Sequence, residues 1–220
     1  MLDNFLEILP SWHYLDAMNK YQWQQIRNNL IYHIKKTPTI TKYLLISLFV
    51  IYLLTHVVNL SFFVLKSFGN GFNPITLVSY AFLHYSFAHF FFNALAIWLF
   101  GREIEEYWGE KRYLIYVFVC IIGAGLLHLL FSNAAVVGIS GLVFGLLLAF
   151  GMMWPNREIF LLLPPMPIKA KYMVMGYGAL LMFDIFANSH NGIANFAHLG
   201  GALSGFLLIQ YWRKKPPFRF

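Results

Sequence analysis

Residues 113–156 contain no Asp, Glu, Lys or Arg. One α-helix over that interval, at 1.5 Å per residue, would be about twice as long as the ~30 Å hydrocarbon core of a bilayer. The interval must fold back on itself, and Ser132-Asn133 is the pair of turn formers that interrupts it. The same test places spans elsewhere. Residues 43–65 are free of charge and long enough for one helix. Ser67–Gly101 is also free of charge but opens with Phe68-Gly69-Asn70-Gly71-Phe72-Asn73-Pro74, so a loop precedes a helix over about 87–107. Residues 172–212 are broken only by Asp184 and carry a turn signal at Asn188–Gly192, which gives two more.

The expected fold is an all-α membrane protein of six transmembrane helices, the third near 113–131, the fourth ending at Trp154, the fifth near 171–186 and the sixth ending near Trp212. Composition agrees, with 59% hydrophobic and 11% charged residues against about 25% charged in soluble domains, and a mean hydropathy of +0.60. Of the 16 Lys and Arg residues, only Lys66 falls outside if both termini are cytoplasmic. The net charge of +7 thus reports topology and contact with membrane lipids, with no case for nucleic acid. The lone Cys120 excludes an intrachain disulfide.

Three regions are expected. Residues 1–41 form a cytoplasmic or interfacial segment, residues 42–213 the six-helix membrane domain, and residues 214–220 a basic cytoplasmic tail. The first region places Phe5, Leu6, Ile8, Leu9, Trp12 and further apolar residues at roughly helical spacing, with Pro10 as a break. A surface-lying helical element and an unstructured tail both fit that pattern. The first long apolar run starts near residue 43, so it is expected to act as an uncleaved anchor. Arg102–Arg112 reads as a solvated cytoplasmic turn. Ile159–Ile168, with Pro164, Pro165 and Pro167, reads as an interfacial loop.

Polar residues inside the spans carry the functional signal. Gly138-Ile139-Ser140-Gly141 stands where the fourth helix begins, and that stretch alone admits two readings. Small residues can let two helices pack closely, with Gly138, Gly141 and Gly145 forming a smooth stripe. Alternatively, an uncrowded serine at a helix start is a nucleophile beside convergent backbone N–H groups. The sixth helix puts His198, Gly201 and Gly205 on one face. Ser140 lies fourteen residues before Trp154 and His198 fourteen before Trp212. Both helices run inward, so the hydroxyl and the imidazole come to one depth, several ångströms below the outer surface.

In the second helix, His89 and Asn93 are four apart and share a face, with His84 at or before the first turn. An amide and an imidazole side by side suit an oxyanion. Metal binding would need an acidic partner or an H-E-x-x-H pattern, and neither is present. His56 and His128 read as hydrogen-bonded structural groups, and Asp184 as a hydrated carboxylate or as the orienter of a histidine. Together, Ser140, His198, His89 and Asn93 form a constellation for acyl transfer.

The motifs His84-x4-His89-x3-Asn93, Gly101-x3-Glu105-x3-Gly109, Gly138-Ile139-Ser140-Gly141 and Ala197-His198-x2-Gly201-x3-Gly205 resemble those of the rhomboid intramembrane serine proteases, in order and spacing, over residues 43–212. The resemblance implies a catalytic dyad of Ser140 and His198. It implies an oxyanion hole from His89, Asn93 and the Ser140 N–H, with His84, Gly138, Gly141, Gly201 and Gly205 in support. It further implies single-pass transmembrane protein substrates, no cofactor, and a multi-pass location in the plasma or inner membrane. Many rhomboids carry Trp-Arg in the first external loop, and Ser67–Leu83 contains neither residue. The alternatives are a catalytically silent rhomboid-like protein that binds membrane clients, whose kind usually lacks the serine or histidine kept here, and a transporter or haem protein using His56, His84, His89, His128 and His198.

Overall fold

The computed structural model describes residues 24–25, 27–28, 36–160, 166–187 and 194–213. The chain divides into two compact units, Met1–Thr37 and Pro38–Phe220, and the elements below belong to the second. They are α1 (Thr39–Leu54), α2 (Thr76–Ser79), α3 (Phe87–Ala96), α4 (Arg102–Trp108), α5 (Glu110–Phe131), α6 (Ser140–Met153), the strands β1 (Glu158–Phe160) and β2 (Pro167–Lys169), α7 (Ala170–Ala187) and α8 (Asn195–Arg213). A π-turn, Ile97–Gly101, joins α3 to α4 without a break. The pattern expected within residues 1–41, the turn at Asn188–Gly192, Pro164, Pro165 and the tail 214–220 lie outside the described residues.

Among the described residues, α5 alone is long and apolar enough to cross a membrane. Thr76–Phe82 and Phe87–Trp108 meet the same test as a pair bent by 100°, while α1 and α6 are apolar but shorter. Helix α5 ends at Phe131, and Ser132 of the Ser132-Asn133 interruption is extended.

Three local expectations are corrected. The first helix starts at Thr39 and stops at Leu54 instead of reaching residue 65. Its end is set by side chains that compete for the backbone: the Thr55 hydroxyl donates to Tyr52 O at 2.6 Å, and Asn59 Oδ1 accepts from Ser61 N at 3.0 Å. A run without charge marks an apolar environment, and helix needs the backbone bonds as well. Residues 159–168 include strand, with Ile159 opposite Ile168 and Phe160 opposite Pro167. Proline is tolerated there because it begins a strand in a two-stranded ribbon with free edges.

The third correction concerns Arg102–Arg112, which is mostly helical. Glu105 is 2% exposed, and its carboxyl oxygens accept from Ile40 N, Thr41 N and Thr41 Oγ1, each at 2.7 Å. The first amides of a helix have no acceptor within it and carry its positive dipole end. Glu105 supplies both needs of α1 from α4, 65 and 64 residues further along the chain. Gly101 leaves room for the Tyr113 hydroxyl, and Gly109, at φ +78°, makes the turn from α4 into α5.

The core is a seam between α5, α6 and α8. A Cβ on Gly200 would stand 2.6 Å from Gly123 O, and one on Gly201 would collide with the backbone of Gly141. Backbone therefore meets backbone, and these contacts maximise van der Waals packing where no hydrophobic drive separates helix from lipid. Gly205 instead faces Tyr116 and Cys120 of α5, so the three glycines of α8 do not all serve the same neighbours. Cys120 is buried and acts as a small apolar filler there.

Candidate active site

Ser140 is the first residue of α6, at a helix start with no side-chain cap. The segment leading to it is pinned at three points. Val136 bridges Leu65 through N–O contacts of 3.0 and 3.3 Å, and Gly138 N donates to Tyr80 O at 2.9 Å. Gly138 also adopts φ +105°, a region that side-chain-bearing residues avoid. A Cβ there would collide with the His89 ring and stand 3.6 Å from His84 Nε2. Gly138 therefore lies outside the helix and contributes no packing stripe, contrary to the pattern in sequence. Its value is close approach to two histidines.

His198 sits in the first turn of α8. Its Nε2 is 2.7 Å from Ser140 Oγ. With the hydroxyl donating, the ring proton resides on Nδ1. Phe144, one turn beyond Ser140 and on the same face of α6, stacks on the imidazole at 4.4 Å between centroids and 16° between planes. One helix thus supplies both the hydroxyl and the wall that fixes the ring. The Gly141–Gly201 contact lies one residue beyond Ser140 and three beyond His198, which is how the seam sets their distance.

Ser86 caps α3, its hydroxyl accepting from His89 N at 3.2 Å. That cap places His89 in the first turn and Asn93 one turn later. Asn93 Nδ2 donates to His89 O at 2.7 Å and lies 3.4 Å from His84 Nε2. Since an amide nitrogen can only donate, His84 Nε2 accepts and its Nδ1–H faces Phe82 O at 3.4 Å. The His84 and His89 rings meet edge to face at 4.8 Å. His84, His89 and Asn93 thus cluster beside Gly138. Both Asn93 amide protons have partners here, so serving a new negative charge requires this side chain to turn.

The remaining polar residues are held by other partners. His56 Nδ1 is 2.9 Å from Tyr52 O, and His128 Nε2 is 2.8 Å from Ala134 O, holding the turn after α5. Asp184 Oδ2 accepts from Asn195 Nδ2 at 2.5 Å, tying α7 to the start of α8. Among the described residues no three His, Cys, Asp or Glu side chains group to hold a metal ion.

Two residues escaped the reading of the sequence. Phe144 could have been found from its i+4 spacing to Ser140. Tyr80 could not, because its roles are long-range: its carbonyl receives Gly138, and its hydroxyl donates to Ile121 O at 2.9 Å. Bracing of the loop that lacks Trp-Arg follows from the same region, where Leu65, Leu77 and Tyr80 settle into the notch left by Gly125. Ser79 Oγ adds a bond to Phe63 O at 3.1 Å.

Residues 71–215 match the family model described as the Rhomboid domain. The chain is 35% identical over 141 residues to the rhomboid protease GlpG of Yersinia pestis (strain Pestoides F) and to that of Yersinia pseudotuberculosis serotype O:3 (strain YPIII), covering 61% of this chain and 46% of each relative. The rhomboid protease GlpG of Serratia proteamaculans (strain 568) is similar at the same identity and coverage. The chain spans a little under half the length of these curated relatives.

Proposed function

The chain belongs to the rhomboid family, and from that premise we propose that it is an intramembrane serine endopeptidase that cleaves single-pass transmembrane proteins in or beside their membrane helix. The observation that carries the proposal is the 2.7 Å separation of Ser140 Oγ and His198 Nε2. Ser140 Oγ attacks the scissile carbonyl carbon while its proton passes to Nε2. The carbonyl electrons move onto oxygen, where the Ser140 backbone N–H, His89 and Asn93 offer hydrogen bonds. Collapse of the adduct expels the amine, which takes the proton from His198. Water then repeats the sequence on the acyl-enzyme, releasing a carboxylate and restoring Ser140.

Asp184 is bound to Asn195, and the scheme does not require it. His84 acts behind the site by holding Asn93, and Gly138, Gly141, Gly201 and Gly205 shape it. No cofactor enters. The chain crosses the cell or inner membrane six times with both termini in the cytoplasm, residues 1–41 and 214–220 flanking the membrane domain 42–213. A client-binding protein without activity would have no use for a hydroxyl held on an imidazole.

A fluorophosphonate probe applied to the full chain in liposomes tests the proposal. Wild type is expected to label, and Ser140→Ala and His198→Ala to lose labelling. Label that survives Ser140→Ala removes the nucleophile. Asn93→Ala should slow turnover of a transmembrane substrate by about 10- to 1000-fold, the range of a lost oxyanion donor. An unchanged rate takes Asn93 out of the mechanism.

A further inference from the structure

Beside Phe144 lies a cavity of about 140 Å³ between α6, α7 and α8. Phe144 and Leu148 of α6, Val174 and Leu181 of α7, and Leu199 and Ala202 of α8 form its walls. It exists because two positions are short. Ala202 ends at Cβ, and Gly178, also on the wall, has nothing within 4 Å of where its Cβ would stand. Tyr177 and Met182, which also line the space, are 46% and 41% exposed. They continue the outward apolar face of α7 formed by Met175, Leu180 and Phe183. No charged residue contributes to the lining.

An apolar cavity of about 150 Å³ in a protein core stays dry and takes up benzene or xenon. In a membrane-embedded chain, the apolar molecules available at such an opening are lipids. We propose that this cavity is a binding site for part of a phospholipid acyl chain, entering past Tyr177 and Met182 and ending against Phe144. The outward face of α7 favours this occupant, because its exposed residues from Tyr172 to Phe183 are large and hydrophobic, no charge interrupts that stretch, and Tyr177 and Met182 belong both to it and to the cavity lining. A bound chain presses on the ring that stacks on His198, so it steadies the imidazole. Only this consequence rests on the protease proposal.

The full chain in nanodiscs of phosphatidylcholine with a diazirine on one acyl chain gives the test. After photolysis, adducts mapped by mass spectrometry are expected on Leu148 and Leu181 as well as on outward Met175 and Leu180. Ala202→Leu and Gly178→Leu, which fill the space from opposite walls, should each reduce the Leu148 and Leu181 adducts at least tenfold while leaving those on Met175 and Leu180. The persistence of the outward adducts reports that the variant is folded.

Adducts confined to the outward face of wild type, or inner adducts untouched by either substitution, overturn the proposal. So does preferential labelling of Leu148 and Leu181 by a transmembrane substrate peptide carrying photo-leucine, which would assign the cavity to substrate. Ser140 labelling by fluorophosphonate is read on the same samples. Loss of the inner adducts in both variants with Ser140 unreactive throughout supports the lipid site and rejects the protease, so the two failures are separable.

Discussion

Glycines of α8 and α7 do opposite work. On α8, Gly200 and Gly201 bring backbone against the backbones of α5 and α6, and a Cβ at either would meet main-chain atoms within 3 Å. On α7, Gly176 and Gly178 have nothing within 4 Å. That helix is anchored near its start, where Ala170 and Met173 are buried and Val174 fills the notch at Gly151. Beyond that, Met175, Tyr177, Leu180, Met182 and Phe183 are exposed. A glycine therefore means close approach only if another backbone arrives. The same residue type makes a rigid seam that sets the distance between Ser140 and His198, and a loosely covered helix with space behind it.

The largest expected effect comes from destroying the seam. Gly201→Ala drives a methyl into the Gly141 main chain, 2.8 Å from its Cα, and main chain cannot step aside. Displacing Ser140 from His198 by about 1 Å should cost roughly 100-fold in fluorophosphonate labelling rate, with a loss of about 1–3 kcal/mol of stability from overpacking. Labelling at the wild-type rate would show that the seam does not set the Ser140–His198 distance.

Glu105→Ala is the intermediate case, because it strands the Ile40 and Thr41 amides at the head of α1 while leaving the seam intact. A loss of about 1–3 kcal/mol is expected for orphaned buried groups, read as a lower unfolding midpoint in detergent. The labelling rate of the fraction that remains folded should stay within about threefold of wild type, well short of the cost of a 1 Å displacement. The smallest effect belongs to Gly176→Ala. In open space, with a helical backbone, alanine should raise stability by about 0.5–1 kcal/mol. A destabilised Gly176→Ala would mean that α7 is covered more closely than the contrast with α8 allows.

Much of the arrangement is legible in the chain because two kinds of signal are local. Long intervals without charge point to an apolar helical fold, and Ser132-Asn133 marks the place where α5 ends. Equal spacings from Ser140 to Trp154 and from His198 to Trp212 bring two distant residues to one level, since helix rise is constant. That Oγ and Nε2 lie within hydrogen-bonding distance follows from this and from the small residues between them. Other features are hidden because nothing near them in sequence reports them. The end of α1 depends on which backbone groups Thr55 and Asn59 capture. Arg102–Arg112 looks solvated by its charge, yet Glu105 is buried because its partners are 64 and 65 residues away.

By itself, the sequence determined that this protein belongs in a membrane, which polar groups fall at equal intervals along their helices, and where glycine permits a helix to come close. Only the tertiary structure decided that Gly201 meets the Gly141 backbone while Gly205 meets Tyr116, that Glu105 caps α1, and that a cavity opens beside Phe144. Periodicity and composition are properties of neighbours along the chain. Caps, seams and cavities are properties of whichever distant surfaces the fold brings to the same place.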